Sequence, residues 1–343
     1  MGITRRAALF SCALTAATLV AGPAFGQSVE EFYRGKALTL IVSADAGTPT
    51  DTFARQFARF FAKHIPGQPI PVVQNVIGAG GMVAAASLQT SQPKDGTVVG
   101  FLQRNNLYTP LLEPKQSNFD PRKVTWLGSL DKVNYALVAM TRTGVTTADD
   151  LFKEELIIGA TGFSNENRIL PAMLNQYVGT KMKIVPGYTG RSEVYLAMQR
   201  GEVDGWASTI DGVQEGEPAR MLADGEMKVL LHLAWKSDPA FSDVPNLSAY
   251  VTDPDVKALF DFFVSPFEAG RPIALPQGVP QDRLDALRAA FSATIADPEF
   301  IAAVEGAGFP VNAIDAVAME RIINKIYDAP VSVIEEARKF RNL

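Results

Sequence analysis

The chain has 343 residues, 47% of them apolar, enough to give each of two ordinary domains a core, which excludes a disordered, fibrous or disulfide-stapled protein. Its 32 Lys and Arg against 37 Asp and Glu are spread without blocks, so there is no electrostatic footprint for nucleic acid or anionic lipid. One Cys and two His leave little material for thiolate nucleophiles, imidazole bases or transition-metal ligands, so no catalytic residue, metal or cofactor is expected.

Residues 1–26 read as an export signal. Arg5 and Arg6 make a charged start, Ala7–Ala21 an apolar run, and Ala24-Phe25-Gly26 a small-x-small cleavage site before Gln27. The twin-arginine and general secretion routes both remain open, and both end outside the cytoplasm. Cys12 has too little apolar chain before it for a lipidation site. No later segment approaches 18 unbroken apolar residues, so the leader is not followed by a membrane anchor. Cleavage leaves 30 basic against 37 acidic residues and no Cys, which closes off disulfides.

The remaining chain alternates strand and helix. Ala37–Val42 is a β-branched apolar run bounded by Gly35 and Asp45, as expected of a buried parallel strand. Thr50–His64 is a helix: Phe53, Phe57, Phe60 and Phe61 share one face, and Pro66-Gly67 stops it. Ile70–Val76 reads as a strand, Met82–Thr90 as a helix and Thr97–Leu102 as a strand, which is the rhythm of a doubly wound sheet. A looser stretch from Arg104 to Val124 carries Pro110, Pro114 and Pro121. The rhythm resumes with strands at Tyr135–Met140, Leu156–Ala160 and Lys183–Pro186, helices at Asn165–Tyr177 and Ser192–Arg200, and extended runs at Val203–Ala207 and Val229–Leu233. Prolines recur from Pro245 to Pro280 and the periodicity weakens until Arg271–Leu275, after which the chain is helical.

Two such α/β units imply two lobes, with ligand sites beyond the carboxyl ends of the strands. Four strand-to-helix turns offer neutral donors. Ser43–Asp51 carries Ala46, Gly47, Thr48 and Thr50, with Thr50 as an N-cap and Asp51 in the first helical turn. Gly78-Ala79-Gly80-Gly81 precedes Met82 and reads either as an anion cradle or as a tight turn that needs glycine. It is no dinucleotide fingerprint, because Val83 stands at the third glycine position. The other two turns carry Thr161, Phe163, Ser164 and Asn165, and then Tyr188, Thr189 and Arg191.

A succession of short motifs then carries a family resemblance. Phe32-Tyr33-Arg34-Gly35-Lys36, the run Gly67–Asn75 leading into Gly78–Gly81, Pro93-Lys94-Asp95-Gly96-Thr97 and Thr125-Trp126-Leu127-Gly128 are followed by Gly187-Tyr188-Thr189-Gly190 and Arg200–Gly205. Gly270-Arg271-Pro272, Pro276–Pro280 and Asp297-Pro298-Glu299-Phe300 complete the series. Each is weak alone, but in this order they resemble the substrate-binding proteins of tripartite tricarboxylate transporters, the Bug family.

The resemblance implies a two-lobed periplasmic binding protein fold of type II, α/β throughout, with a mainly parallel sheet flanked by helices in each lobe. It places lobe I at residues 27–131 plus 264–343 and lobe II at 132–263, with crossings near 130–134 and 233–263 about which the lobes close. It implies a monomer that holds a small organic carboxylate, either a di- or tricarboxylate or an aromatic acid, and delivers it to integral membrane permease subunits. The carboxylate would sit between Ser43–Asp51 and Gly78–Met82. Relatives usually carry a run of glycines before the aspartate of the first loop, whereas here Gly47-Thr48-Pro49-Thr50 adds hydroxyls and Pro49 removes an N–H donor.

Lobe II would set specificity through Phe163, Tyr188, Arg191, Trp206 and Ser208, although Phe163 and Trp206 read equally as core. Arg104 and Arg168 carry less signal. Two other readings stay open. A sensor for a two-component system would use the same fold. A secreted α/β hydrolase would need a Gly-x-Ser-x-Gly elbow and a late His, yet no elbow exists and no His follows residue 232.

Overall fold

In the computed structural model, which describes residues 27–44, 46–115, 117–161, 165–188 and 190–341, two sheets take up eleven strands. The first sheet has the order β11-β4-β10-β3-β1-β2, built from β1 (Ala37–Val42), β2 (Ile70–Asn75), β3 (Val98–Phe101), β4 (Val124–Ser129), β10 (Pro272–Pro276) and β11 (Ile314–Asp315). The second has the order β7-β6-β8-β5-β9, from β5 (Tyr135–Met140), β6 (Leu156–Gly159), β7 (Met182–Val185), β8 (Gly205–Thr209) and β9 (Met227–His232).

Both sheets are mixed, with four strands pointing one way in each, β1–β4 in the first and β6–β9 in the second, and with the crossing strand reversed. β1 pairs in parallel with β2 and β3, whereas β10 runs against both β3 and β4. In the second sheet β6 pairs in parallel with β7 and β8, whereas β5 runs against both β8 and β9. β5 and β10 are the strands that arrive directly after the chain crosses from one sheet to the other. Each inserts between strands of opposite direction, and this exchange ties the two lobes together.

The helix Pro49–His64 shows why the local sequence folds as it does. Thr48 accepts a hydrogen bond from the Asp51 N–H at 3.3 Å and so caps the helix, Pro49 occupies a first-turn position, and Lys63 and His64 face the carbonyl end. Phe53, Phe57 and Phe61 are fully buried, with Phe57 stacked on Phe61 at 4.9 Å and Phe53 on Phe309 at 5.2 Å. Burying each such ring contributes about 1.5–3 kcal/mol, far more than helix propensity.

Two elements escape the sequence pattern. The proline-rich stretch holds an eleven-residue helix, Pro254–Val264, because Asp253 caps the Asp255 and Val256 N–H groups and Pro254 starts the first turn. The expected helix Asn165–Tyr177 is α-helical only over Glu166–Met173 and relaxes into a π-turn at Leu174–Val178, downstream of Pro171. The C-terminal helix Val331–Arg341 braces both lobes. Arg338 donates to the Leu111 carbonyl at 2.8 Å, and Glu336 accepts from the Tyr177 hydroxyl at 2.6 Å. One apolar cluster runs behind the cleft from Leu88 and Trp126 through Phe260 and Phe263 to Leu137, Ile158 and Phe340.

Candidate functional site

The first loop is organised from within. Asp51, almost fully buried, accepts from the Gly47 N–H at 2.8 Å, from Arg55 Nε at 2.9 Å and from Asn75 Nδ2 at 2.8 Å. Burial alone would raise its pKa, but these donors outweigh burial and hold the carboxyl below its ordinary value. Asp51 therefore shapes the loop and does not line the cleft. Gly47 at φ +80° and Thr50 do face the cleft, Ala46 is exposed, and Thr48 is the cap. Ser43 lies underneath, its hydroxyl on the Phe101 carbonyl at 3.2 Å and its own carbonyl on Gln103 Nε2 at 2.5 Å.

The second turn is a run of left-handed or extended positive-φ residues, Gly78, Ala79, Gly80 and Gly81. The Gly80 carbonyl accepts from Asn105 and Asn106 at 3.1 Å each, which straps the turn to the loop after β3. None of Gly78–Met82 lines the cavity, and it is the strapped loop, through Gln103, Arg104 and Asn105, that faces it.

That cavity, of about 580 Å³, lies between the lobes. Arg104, on the lobe I side, donates to the Tyr135 hydroxyl at 2.5 Å and pairs with Glu166 at 3.3 Å across the cleft, while Tyr108 donates to the other Glu166 oxygen at 3.3 Å. Burial would lower the Arg104 pKa, and the Glu166 carboxylate overrides that and holds it raised. Burial and then Glu166 push the Tyr108 hydroxyl well above its ordinary value, so it stays a donor. Arg271 pairs with Asp131 and lies over the rings of Phe53 and Phe309 at 4.8 and 5.1 Å. Burial, and then the repulsion of Arg104, push Arg271 down to about 9, which leaves it charged at pH 7. The two half-buried guanidiniums repel each other, and each is held by its own carboxylate, Arg104 by Glu166 and Arg271 by Asp131.

On the lobe II side Asn165 and Asn167 line the cavity while Thr161 sits behind them, accepting from both side-chain amides at 2.6 and 2.9 Å. Arg191 lines the cavity, 3.8 Å from Glu215. Ser208 is buried below the turn Thr209–Gly212. Trp206 is buried in the lobe II core, and half-buried Tyr188 packs against the same cluster, so neither aromatic forms a cavity wall. The sequence could not show where these rings point. Phe163, Ser164, Thr189 and the leader lie outside the described residues.

The residues that dominate the charge, Arg104, Asp131, Glu166, Asp211, Glu215 and Arg271, were not singled out as ligands by sequence. A signal existed for three of them. Arg104 and Asp131 follow the carboxyl ends of β3 and β4, and Glu166 opens a helix behind β6, the positions where α/β sheets place ligands.

Residues 53–338 match the family described as the tripartite tricarboxylate transporter family receptor, TctC. The chain belongs to this family. Among solved structures it is similar to a TctC solute-binding protein from Polaromonas, with a TM-score of 0.68, 18% identity, and 90% of this chain and 99% of that one covered. It is similar also to MatC from Rhodopseudomonas palustris with bound malate, with a TM-score of 0.61, 20% identity, and 87% and 99% covered. A third similar structure, from the same organism with adipate, has a TM-score of 0.64, 18% identity, and 90% and 97% covered. These likenesses show the two-lobed α/β fold. A UPF0065 protein of Agrobacterium vitis, from the TAR-I ttuE-ttuC' intergenic region, is 26% identical over 188 residues, and the match spans about half (51%) of that protein's length and of this chain.

In this TctC receptor no described helix is long and apolar enough to cross a membrane. Among the described residues no group of three His, Cys, Asp or Glu is placed to hold a metal ion. The described cavity lining contains no Ser, Cys or His.

Proposed function

We propose that this TctC-family chain is a periplasmic receptor that captures a small organic acid between its lobes and hands it to membrane permease subunits. The observation that carries the reading is the pair Arg104 and Arg271, both half-buried and lining one interlobe cavity, each a guanidinium able to bond a carboxylate through two parallel N–H groups. The malate and adipate held by two structural relatives support this ligand class. Export rests on the leader expected over residues 1–26, and delivery to a permease on the family. The reading is non-catalytic, in keeping with a family of solute receptors. Closure would take place about the crossings near 130–134 and 233–263.

A thermal-shift and calorimetric screen of organic acids tests this. A true ligand at 100 times its Kd should add about 2.7 kcal/mol of stability. Arg271→Met should weaken binding by about 1.5–3 kcal/mol, the usual range for a charged hydrogen bond, with circular dichroism confirming the fold. If no organic acid shifts the protein, or if mass spectrometry recovers the ligand chemically changed, the reading fails.

A further inference from the structure

The charges around the interlobe cavity are divided between its two walls. Lobe I and the crossing segments contribute Arg104, Lys132 and Arg271 against Asp131, whereas lobe II contributes Glu166, Asp211 and Glu215 against Arg191. Among the described lining residues, one wall therefore carries a formal charge of +2 and the other −2, which sum to zero. A dicarboxylate brought into the cavity would satisfy the first wall and face uncompensated repulsion from the second, in a place where partial burial strengthens every Coulomb term.

The existing ion pairs do not cancel this division. Arg104 reaches across to Glu166, Arg271 is taken by Asp131, and Arg191 is only loosely held by Glu215 at 3.8 Å. Lys132 on one wall and Asp211 on the other line the cavity outside these pairs. Asp131 adds a separate sign: it is 2% exposed, lines the cavity, and its Oδ1 has no hydrogen-bond donor. A carboxylate oxygen only accepts, so this Oδ1 would take a hydrogen bond from a donor on the ligand. Glu215 is seated directly across the cleft over Gly308, where any β-carbon would collide with its carboxylate, so the negative wall closes onto lobe I. Burial raises the Glu215 pKa; Arg191 opposes this and Asp211 adds to it. A cation beside Asp211 and Glu215 would relieve that cost.

We infer that the ligand is a small zwitterion, whose carboxylate faces Arg104, Arg271 and Lys132 and whose cationic nitrogen faces Asp211 and Glu215. The inference rests on the organic-acid reading above and narrows it from acids in general to amino acids and their ω-amino counterparts.

The test compares acids that differ in the group carried besides one carboxylate, by isothermal titration with the purified protein processed before Gln27. Glutarate and adipate carry a second carboxylate, 4-aminobutanoate, 5-aminopentanoate and α-aminobutanoate carry an ammonium, and butanoate and pentanoate carry neither. The best amino acid should bind at least tenfold more tightly than either diacid or monoacid. Asp211→Asn and Glu215→Gln, which leave volume unchanged, should each lower amino-acid affinity severalfold and raise diacid affinity, with unchanged circular dichroism. Diacids binding more tightly than every amino acid would overturn the zwitterion and leave the organic-acid reading standing. Equal binding of amino acids and monoacids would also overturn it, because the ammonium would then contribute nothing. Failure of all these acids to bind would overturn both.

Discussion

Glu166→Gln removes one charge from the cavity and almost no volume, and its effects on stability and on binding should have opposite signs. In the free protein the Glu166 carboxylate is 4% exposed and is shared by Arg104 at 3.3 Å and Tyr108 at 3.3 Å. Removing one partner of a buried ion pair costs about 3–5 kcal/mol, because the other charge stays in place without compensation. Two features reduce that figure here. The Arg104 side chain keeps 22% exposure and the Tyr135 hydroxyl at 2.5 Å, and the glutamine oxygen still accepts from Tyr108. We expect about 2 kcal/mol of lost stability, or roughly 4 °C in Tm for a chain of this size. A bound carboxylate would then supply the negative charge that Arg104 has lost, so affinity for a carboxylate ligand should rise by about tenfold, equivalent to about 1.4 kcal/mol. Differential scanning calorimetry on the free protein and titration calorimetry with the best ligand of the screen measure the two effects. A Tm within about 1 °C of the parent, or an affinity that falls with the stability, would refute the account of Glu166 as an internal stand-in for ligand charge.

The two threonines of the first loop should separate. Thr48→Ala removes the cap on the Asp51 N–H and should cost about 1 kcal/mol in urea unfolding with affinity unchanged, whereas Thr50→Ala should leave stability nearly intact and weaken binding by about 0.5–1.5 kcal/mol; equal effects in both variants would contradict the division of roles. Asp51 gives a pH dependence whose sign is fixed. Its folded pKa lies below its unfolded value, so the charged form stabilises the fold above about pH 4 and that contribution disappears as pH falls through the folded pKa. The stability difference between the parent and Asp51→Asn, measured by urea unfolding, should shrink between pH 7 and pH 3, and a difference that does not change with pH would remove the carboxylate from the explanation.

Much of the architecture is written locally. The phenylalanines of Pro49–His64, the apolar run of β1, the glycines at 78, 80 and 81 and the order of the short motifs are each set by neighbours within a few residues, where backbone periodicity and turn chemistry act. The same local reading took Pro254 for part of an irregular stretch, because a proline reads as a breaker unless its position in the first turn is known. It also left the reversed directions of β5 and β10 unread, since these follow from where the chain crosses between lobes and not from the composition of either strand. The cavity was the least legible part. Arg104, Tyr135, Glu166 and Arg271 stand on four separate segments, and nothing in the residues around any of them names the others. Whether an arginine ends on a carboxylate, a ring or water depends on which strands pair and which helices brace them. The sequence by itself determined the two-lobed fold, the family and some of the turns that edge the cavity, those of Gly47, Asn165 and Arg191, because those are properties of short stretches and their order. Only the packing of both lobes against one another decided which charges share the cleft and which side chains, Trp206 and Asp51 among them, turn inward, because burial and charge pairing are settled by contacts between residues far apart in the chain.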